Sequence, residues 1–168
     1  MIMLKRLGVV GTLAVGLVLT GGAVQAGASG STTVLKFYDA SSAFTGIGFD
    51  ANNPNAVPPV GASAIIGVRL KNIGSQFGKP SGTIVGRAIL QCTVVAENSA
   101  ADIDSICTGI AHVPNGYFTF DGNGGFSNAK VNYYDITGGV GPYINDRGEI
   151  KVTNLPNGNS TATVTLDS

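Results

Sequence analysis

The sequence has 168 residues and a formal net charge of zero, with 43% hydrophobic and only 12% charged side chains. No basic patch or run of like charges stands out along it, which argues against nucleic acid as a partner. One histidine, His112, and two cysteines, Cys92 and Cys107, make a metal site the weaker reading, since such a site needs more soft or imidazole ligands.

Residues 1–26 have the layout of a signal peptide. Lys5 and Arg6 precede an apolar run over 7–19 that is short for a membrane span, and Val24-Gln25-Ala26 fits a small-residue cleavage site, with the cut after Ala26. No cysteine follows the run, which disfavours a lipid anchor, and no later stretch is long enough to cross a bilayer. The remaining residues, 27–168, number about 140 and suit one domain. Loss of Lys5 and Arg6 leaves that domain slightly acidic. The expected location is secreted or periplasmic. So few charges imply a surface rich in Ser, Thr, Asn and Gly, or one partly covered in an oligomer.

The first strand is expected over 31–39, STTVLKFYD, with Leu35 and Phe37 on one face. Glycines, asparagines and prolines over 40–59 predict a long loop. Alternation of Ala64, Ile66, Val68 and Leu70 with Ile65, Gly67, Arg69 and Lys71 predicts a strand over 63–72. The longest strand signal covers 83–97, with Ile84, Ala88, Leu90, Cys92 and Val94 on one face and Arg87 on the other. A polar turn over 98–104 leads to a strand over 105–113.

An exported chain meets oxidising conditions, so Cys92 and Cys107 are expected to form a disulfide. If they face each other in an antiparallel pair, Val95 faces Asp104 and the turn falls among polar residues. Pro114-Asn115-Gly116 then marks a tight turn, followed by strands over 117–121 and 126–136. The latter sets Val131, Tyr133 and Asp135 on one face and Asn132, Tyr134 and Ile136 on the other. An irregular glycine-rich corner occupies 135–149, DITGGVGPYINDRGE. The last two strands are expected over 148–155 and 160–166.

These are about eight strands with mostly short connections and no sustained helical period. Short connections favour antiparallel neighbours, so the fold class is all-β, and an eight-stranded antiparallel β-barrel removes exposed edges. An open sandwich is the alternative.

The run ITGGVGPYINDRGEI, 136–150, resembles the segment that ends the barrel of the dirigent and allene oxide cyclase-like family. Gly138, Gly139, Gly141, Tyr143, Arg147 and Gly148 fall in matching order, while Val140 and Asp146 depart from the usual Thr and Ala. LKFYD, 35–39, is similar to the Phe-Tyr pair and nearby Asp of the family's first strand, without the His that often precedes that Asp. Gly86, Cys92, Cys107 and Pro114-Asn115-Gly116 resemble the exported bacterial branch. The resemblance implies an eight-stranded barrel, often a homotrimer, with an apolar cavity and no cofactor. It also implies a small hydrophobic or phenolic partner whose cyclisation or stereoselective coupling is guided by positioning and water exclusion.

By the same resemblance Asp39 and Asp135 match the pair of carboxylates used as acids, for which burial and a raised pKa would be suited. Both also fit strand-end aspartates that accept hydrogen bonds from turns. Arg147 is a candidate to bind an anionic group in the cavity, or an ion-pair pin for the glycine corner. Tyr38, Arg87, Tyr117, Tyr133 and Tyr143 are candidate ligand contacts, and the tyrosines equally suit core or interface packing. A non-catalytic binding or surface-interaction barrel is the rival reading. No nucleophile elbow accompanies His112, and no helix follows the glycines to make a phosphate loop.

Overall fold

A computed structural model of the chain describes residues 31–50, 52–53, 56–99, 102–124 and 130–167, with only the backbone described for 40–42, 98–99 and 102. The expected signal peptide and the start of the strand predicted from residue 126 lie outside the described residues. The strands are β1 (Thr32–Ile47), β2 (Ser63–Asn72), β3 (Ile84–Ser99), β4 (Asp102–Val113), β5 (Gly116–Asn123), β6 (Val131–Val140), β7 (Arg147–Asn154) and β8 (Ser160–Asp167). Each pairs antiparallel with the next, and β8 returns to β1, closing an eight-stranded barrel. Among the described residues no helix is long and apolar enough to cross a membrane.

Period-two alternation decides the inside. On β8, Ala162, Val164 and Leu166 are buried while Thr161, Thr163 and Thr165 are half-buried on the other face. On β6 the inward set is Asn132, Tyr134 and Ile136. Leu35, Phe37, Leu70, Cys92, Phe118, Phe120 and Ile150 complete one continuous core. Burying a large aliphatic or aromatic side chain stabilises by about 1.5–3 kcal/mol, so this inner face carries the fold.

Cys92 and Cys107 are directly opposed on β3 and β4, fully buried and disulfide-bonded. The expected opposition of Val95 and Asp104 does not follow. The register shifts after Val94, so that Ala96 faces Asp104. A bulge inserts one unpaired residue there, which the cysteine spacing does not reveal. A second shift, between Leu70 and Lys71, moves Ile84 off the inner face, and Ile84 is exposed.

The loop expected over 40–59 starts later, because β1 continues to Ile47 along β2. Toward the end where β3 turns into β4, Ala62, Val94 and Ile103 form a small second core against Phe49. The glycine corner also starts later. Gly138 and Gly139 stay in β6, opposite Thr119 and Phe118, and the turn proper is a 3₁₀ segment at Gly141–Tyr143. A Cβ on Gly139 would lie 2.4 Å from the Tyr143 carbonyl oxygen. The glycine is there because that turn folds back tightly on the strand.

That turn plugs one end of the barrel. Tyr143 packs edge-on against Phe118 at 5.9 Å between ring centroids, and its hydroxyl donates to the Pro114 carbonyl at 3.4 Å. Phe77 stacks on Phe37 at 6.4 Å nearby.

Candidate functional site

Inside the barrel lies a cavity of about 160 Å³. Its body is apolar, with Ile66, Val68, Leu90, Phe118, Phe120 and Val152 in its wall. Its polar groups are Asp39, Asn132, Asn154 and Ser160, with the ring of Tyr134. The chain gathers them for a local reason. β8 begins at Ser160, opposite Asn154 at the end of β7, and β1 leaves β8 just after Tyr38 meets Thr161. Asp39 is the next residue, so its inward side chain comes alongside Ser160. Asp39, Asn154 and Ser160 are each partly exposed, whereas Phe37, Phe118 and Leu166 are almost fully buried. The polar end is therefore the end reached by water.

The Ser160 hydroxyl donates a hydrogen bond to Oδ2 of Asp39. Burial raises the Asp39 pKa above the ordinary aspartate value, and the Ser160 hydrogen bond partly opposes that shift. A carboxyl group whose proton is held more tightly at the edge of an apolar chamber donates a hydrogen bond when protonated and accepts one when ionised. Tyr134 is only 4% exposed. Its ring meets Phe120 edge-on at 5.7 Å, and its hydroxyl comes within 2.5 Å of where a Cβ on Gly124 would lie, beside Asn132. The phenol thus spans from the apolar wall to the polar end.

Of the candidate catalytic and ligand-binding residues named from the sequence, Asp39 alone lines this cavity. Asp135 is exposed on the outer face of β6, between Asp121 on β5 and Glu149 on β7. Its neighbours Tyr134 and Ile136 take the inner positions, and alternation sends Asp135 outward. Arg147 is exposed at the start of β7, where its Nη1 donates to the Asp146 carbonyl at 3.0 Å. Asp39, Asp135 and Arg147 therefore do not converge: Asp39 lines the cavity, while the other two candidates are exposed outside it.

The tyrosines divide similarly. Tyr38 lies on the outer face opposite Lys71, and Tyr117 packs its ring 5.5 Å from that of His112. Tyr133 is 50% exposed with the Lys151 ammonium 5.9 Å from its ring centroid. Arg87 is exposed, opposite Arg69. Tyr143 is buried in the plug, where burial first and the Asp146 charge second raise its pKa. Sequence reasoning missed Tyr134, Asn132, Asn154 and Ser160 as cavity residues. The parity of Tyr134 with Ile136 carried the signal for the first two. Among the described residues no three His, Cys, Asp or Glu side chains are grouped so as to hold a metal ion.

The site is thus a small apolar chamber enclosed by a closed antiparallel barrel of eight strands. No family model matches the sequence, and no curated protein matches it. Solved structures do. The chain is similar to a pyocyanin demethylase at 21% identity and TM-score 0.55, covering 81% of this chain and 99% of that one. It is also similar to the Diels-Alderase AbmU from Streptomyces koyangensis, at 15% identity and TM-score 0.59 over 85% of this chain and 71% of that one. A pterocarpan synthase dirigent protein matches at 14% identity and TM-score 0.54, over 82% and 83% of the two chains. At these identities the shared feature is the fold.

Proposed function

We propose that this chain is an exported dirigent/allene oxide cyclase-like barrel that binds a small hydrophobic or phenolic molecule and guides a cofactor-free cyclisation or stereoselective coupling. The observation that carries the reading is Asp39, a carboxyl with a raised pKa set into the wall of an otherwise apolar cavity. The apolar walls exclude water and limit the conformations of the bound molecule. Asp39, oriented by Ser160, gives a hydrogen bond or a proton to an oxygen of that molecule, and Asn132 and Asn154 offer further polar contacts. A cavity of about 150 Å³ lined by aliphatic and aromatic side chains accepts benzene, so this one suits a molecule of about one ring. That size favours one molecule closing on itself over the joining of two. Export rests on the signal-peptide pattern and the buried disulfide. A homotrimer rests on the family resemblance, helped by exposed Ile65, Ile89 and Ile106 on the outer wall.

A non-catalytic ligand-binding or surface-interaction barrel is the second reading. The observation that favours it is again the volume, well below the roughly 300–1,000 Å³ of ordinary small-molecule sites. Phenol titrated into the protein, followed by NMR, tests binding: shifts at Phe120 and Tyr134 are expected, and silence there overturns ligand binding in the cavity and leaves surface interaction. With any substrate the barrel accepts, Asp39→Asn is expected to change product ratios while Asp135→Asn leaves them alone. Product ratios unaltered by Asp39→Asn leave the binding reading and remove the catalytic one.

A further inference from the structure

Folding assembles on the outside of the barrel what the sequence keeps apart. Arg69 on β2, Arg87 on β3 and His112 on β4 stand in one cross-strand row, with Arg69 opposite Arg87 and Arg87 opposite His112. Like charges directly opposite on neighbouring strands repel and destabilise. Guanidinium groups cannot shed their charge. No register partner of either arginine on β2, β3 or β4 is a carboxylate, and Lys71 adds a further cation on the same face of β2.

The wall beneath them is dented. Leu70 pairs with Gly86 but Lys71 pairs with Ile84, which leaves Val85 as a bulge. A bulge bends its strand and re-aims the side chains beside it. A Cβ on Gly86 would lie 2.2 Å from the His112 carbonyl oxygen, so β3 and β4 close in there over a floor without a side chain. The result is an open depression of about 450 Å³ in which Arg69, Arg87 and His112 stand over Val85, Gly86 and Pro114. Among the described residues no acidic side chain lines it. Tyr117 packs against the His112 ring from β5.

We propose that this depression on the outer face of β2–β4 binds a phosphate-type oxyanion between Arg69 and Arg87, with His112 as a third contact. The anion turns the opposed cations from a repulsive pair into two charge-assisted forks on one group. The site lies outside the barrel and is independent of the inner cavity.

The test is titration of the full chain with inorganic phosphate at low ionic strength, read by NMR shifts and by melting temperature. In the wild type, shifts are expected at residues 85–87 and 112, with a rise in Tm. The double variant Arg69→Gln/Arg87→Gln is expected to bind roughly tenfold more weakly or less. Without phosphate it should melt no lower than the wild type, since a repulsion has been removed. Arg87→Lys keeps the charge without the fork and should fall in between. A parallel arm uses phosphatidylcholine vesicles with and without phosphatidic acid. Binding to free phosphate identifies a soluble anion as the source. Binding only to the acidic vesicles, lost in the double variant, identifies a lipid headgroup. Absence of both, or binding that the double variant leaves intact, overturns the proposal.

Discussion

The Ser160 hydroxyl donates to Asp39, joining the first residue of β8 to the point where β1 turns away from it. This bond opposes the effect of burial on the Asp39 carboxyl. Ser160→Ala is expected to move the Asp39 pKa further up. Carbon-detected NMR titration of the carboxyl reads it, and a downward move contradicts the assignment.

The same shift fixes a sign for stability. The folded chain holds the Asp39 proton more tightly than the unfolded chain does. The associated stability is fully present below the unfolded-state pKa and is lost as pH rises through the raised folded-state value. Asp39→Asn is therefore expected to be more stable than the wild type near neutrality, with the advantage vanishing in strong acid. Urea melts at several pH values measure it. An advantage that persists unchanged at low pH has another cause.

The disulfide closes a 15-residue separation between β3 and β4. Loop-closure entropy places its contribution at about 3 kcal/mol. Cys92→Ala/Cys107→Ala should lose about that much in denaturant unfolding, together with the contacts of two buried sulfurs. Both cysteines are fully buried. Mild reductant should therefore leave the folded protein's disulfide intact and cleave it once the chain is unfolded.

Gly139→Ala places a methyl group against the Tyr143 carbonyl and Cβ, at 2.4 and 2.7 Å before relaxation. Forcing the plug outward should cost about 1–3 kcal/mol. Tyr143→Phe removes only a 3.4 Å hydrogen bond and should cost less, about 1 kcal/mol. Thermal melts of the two variants establish the order.

Ala111→Leu fills part of a cavity of about 160 Å³. Phenol binding is expected to disappear, with a stability change within about 3 kcal/mol. Phenol binding that survives the substitution would place the ligand elsewhere.

Much of this architecture was legible in the sequence. β2 begins and ends where alternation from Ser63 to Asn72 places it, and the cysteine register is as expected. Alternation separates two faces but does not say which is inside. On β6 one face offers Tyr133 and Asp135, the other Tyr134 and Ile136, and only closure of the barrel chooses Tyr134. Ser160 and Asn154 flank a turn, where polar residues are ordinary. What sets them apart is that β1 departs from β8 beside them, which is a long-range fact. Gly138 and Gly139 read as a turn because glycine signals both turns and close approach.

The ladder between Thr32–Tyr38 and Thr161–Asp167 joins the first strand to the last. Before β8 is available, β1 has a partner on one side only, and its other edge stays open to any passing chain. Barrel closure is therefore the slowest contact to win, since it spans the whole domain. If the chain crosses a membrane unfolded and β1 emerges first, that edge waits until everything else has followed. The window for strand exchange between copies closes only when β8 arrives.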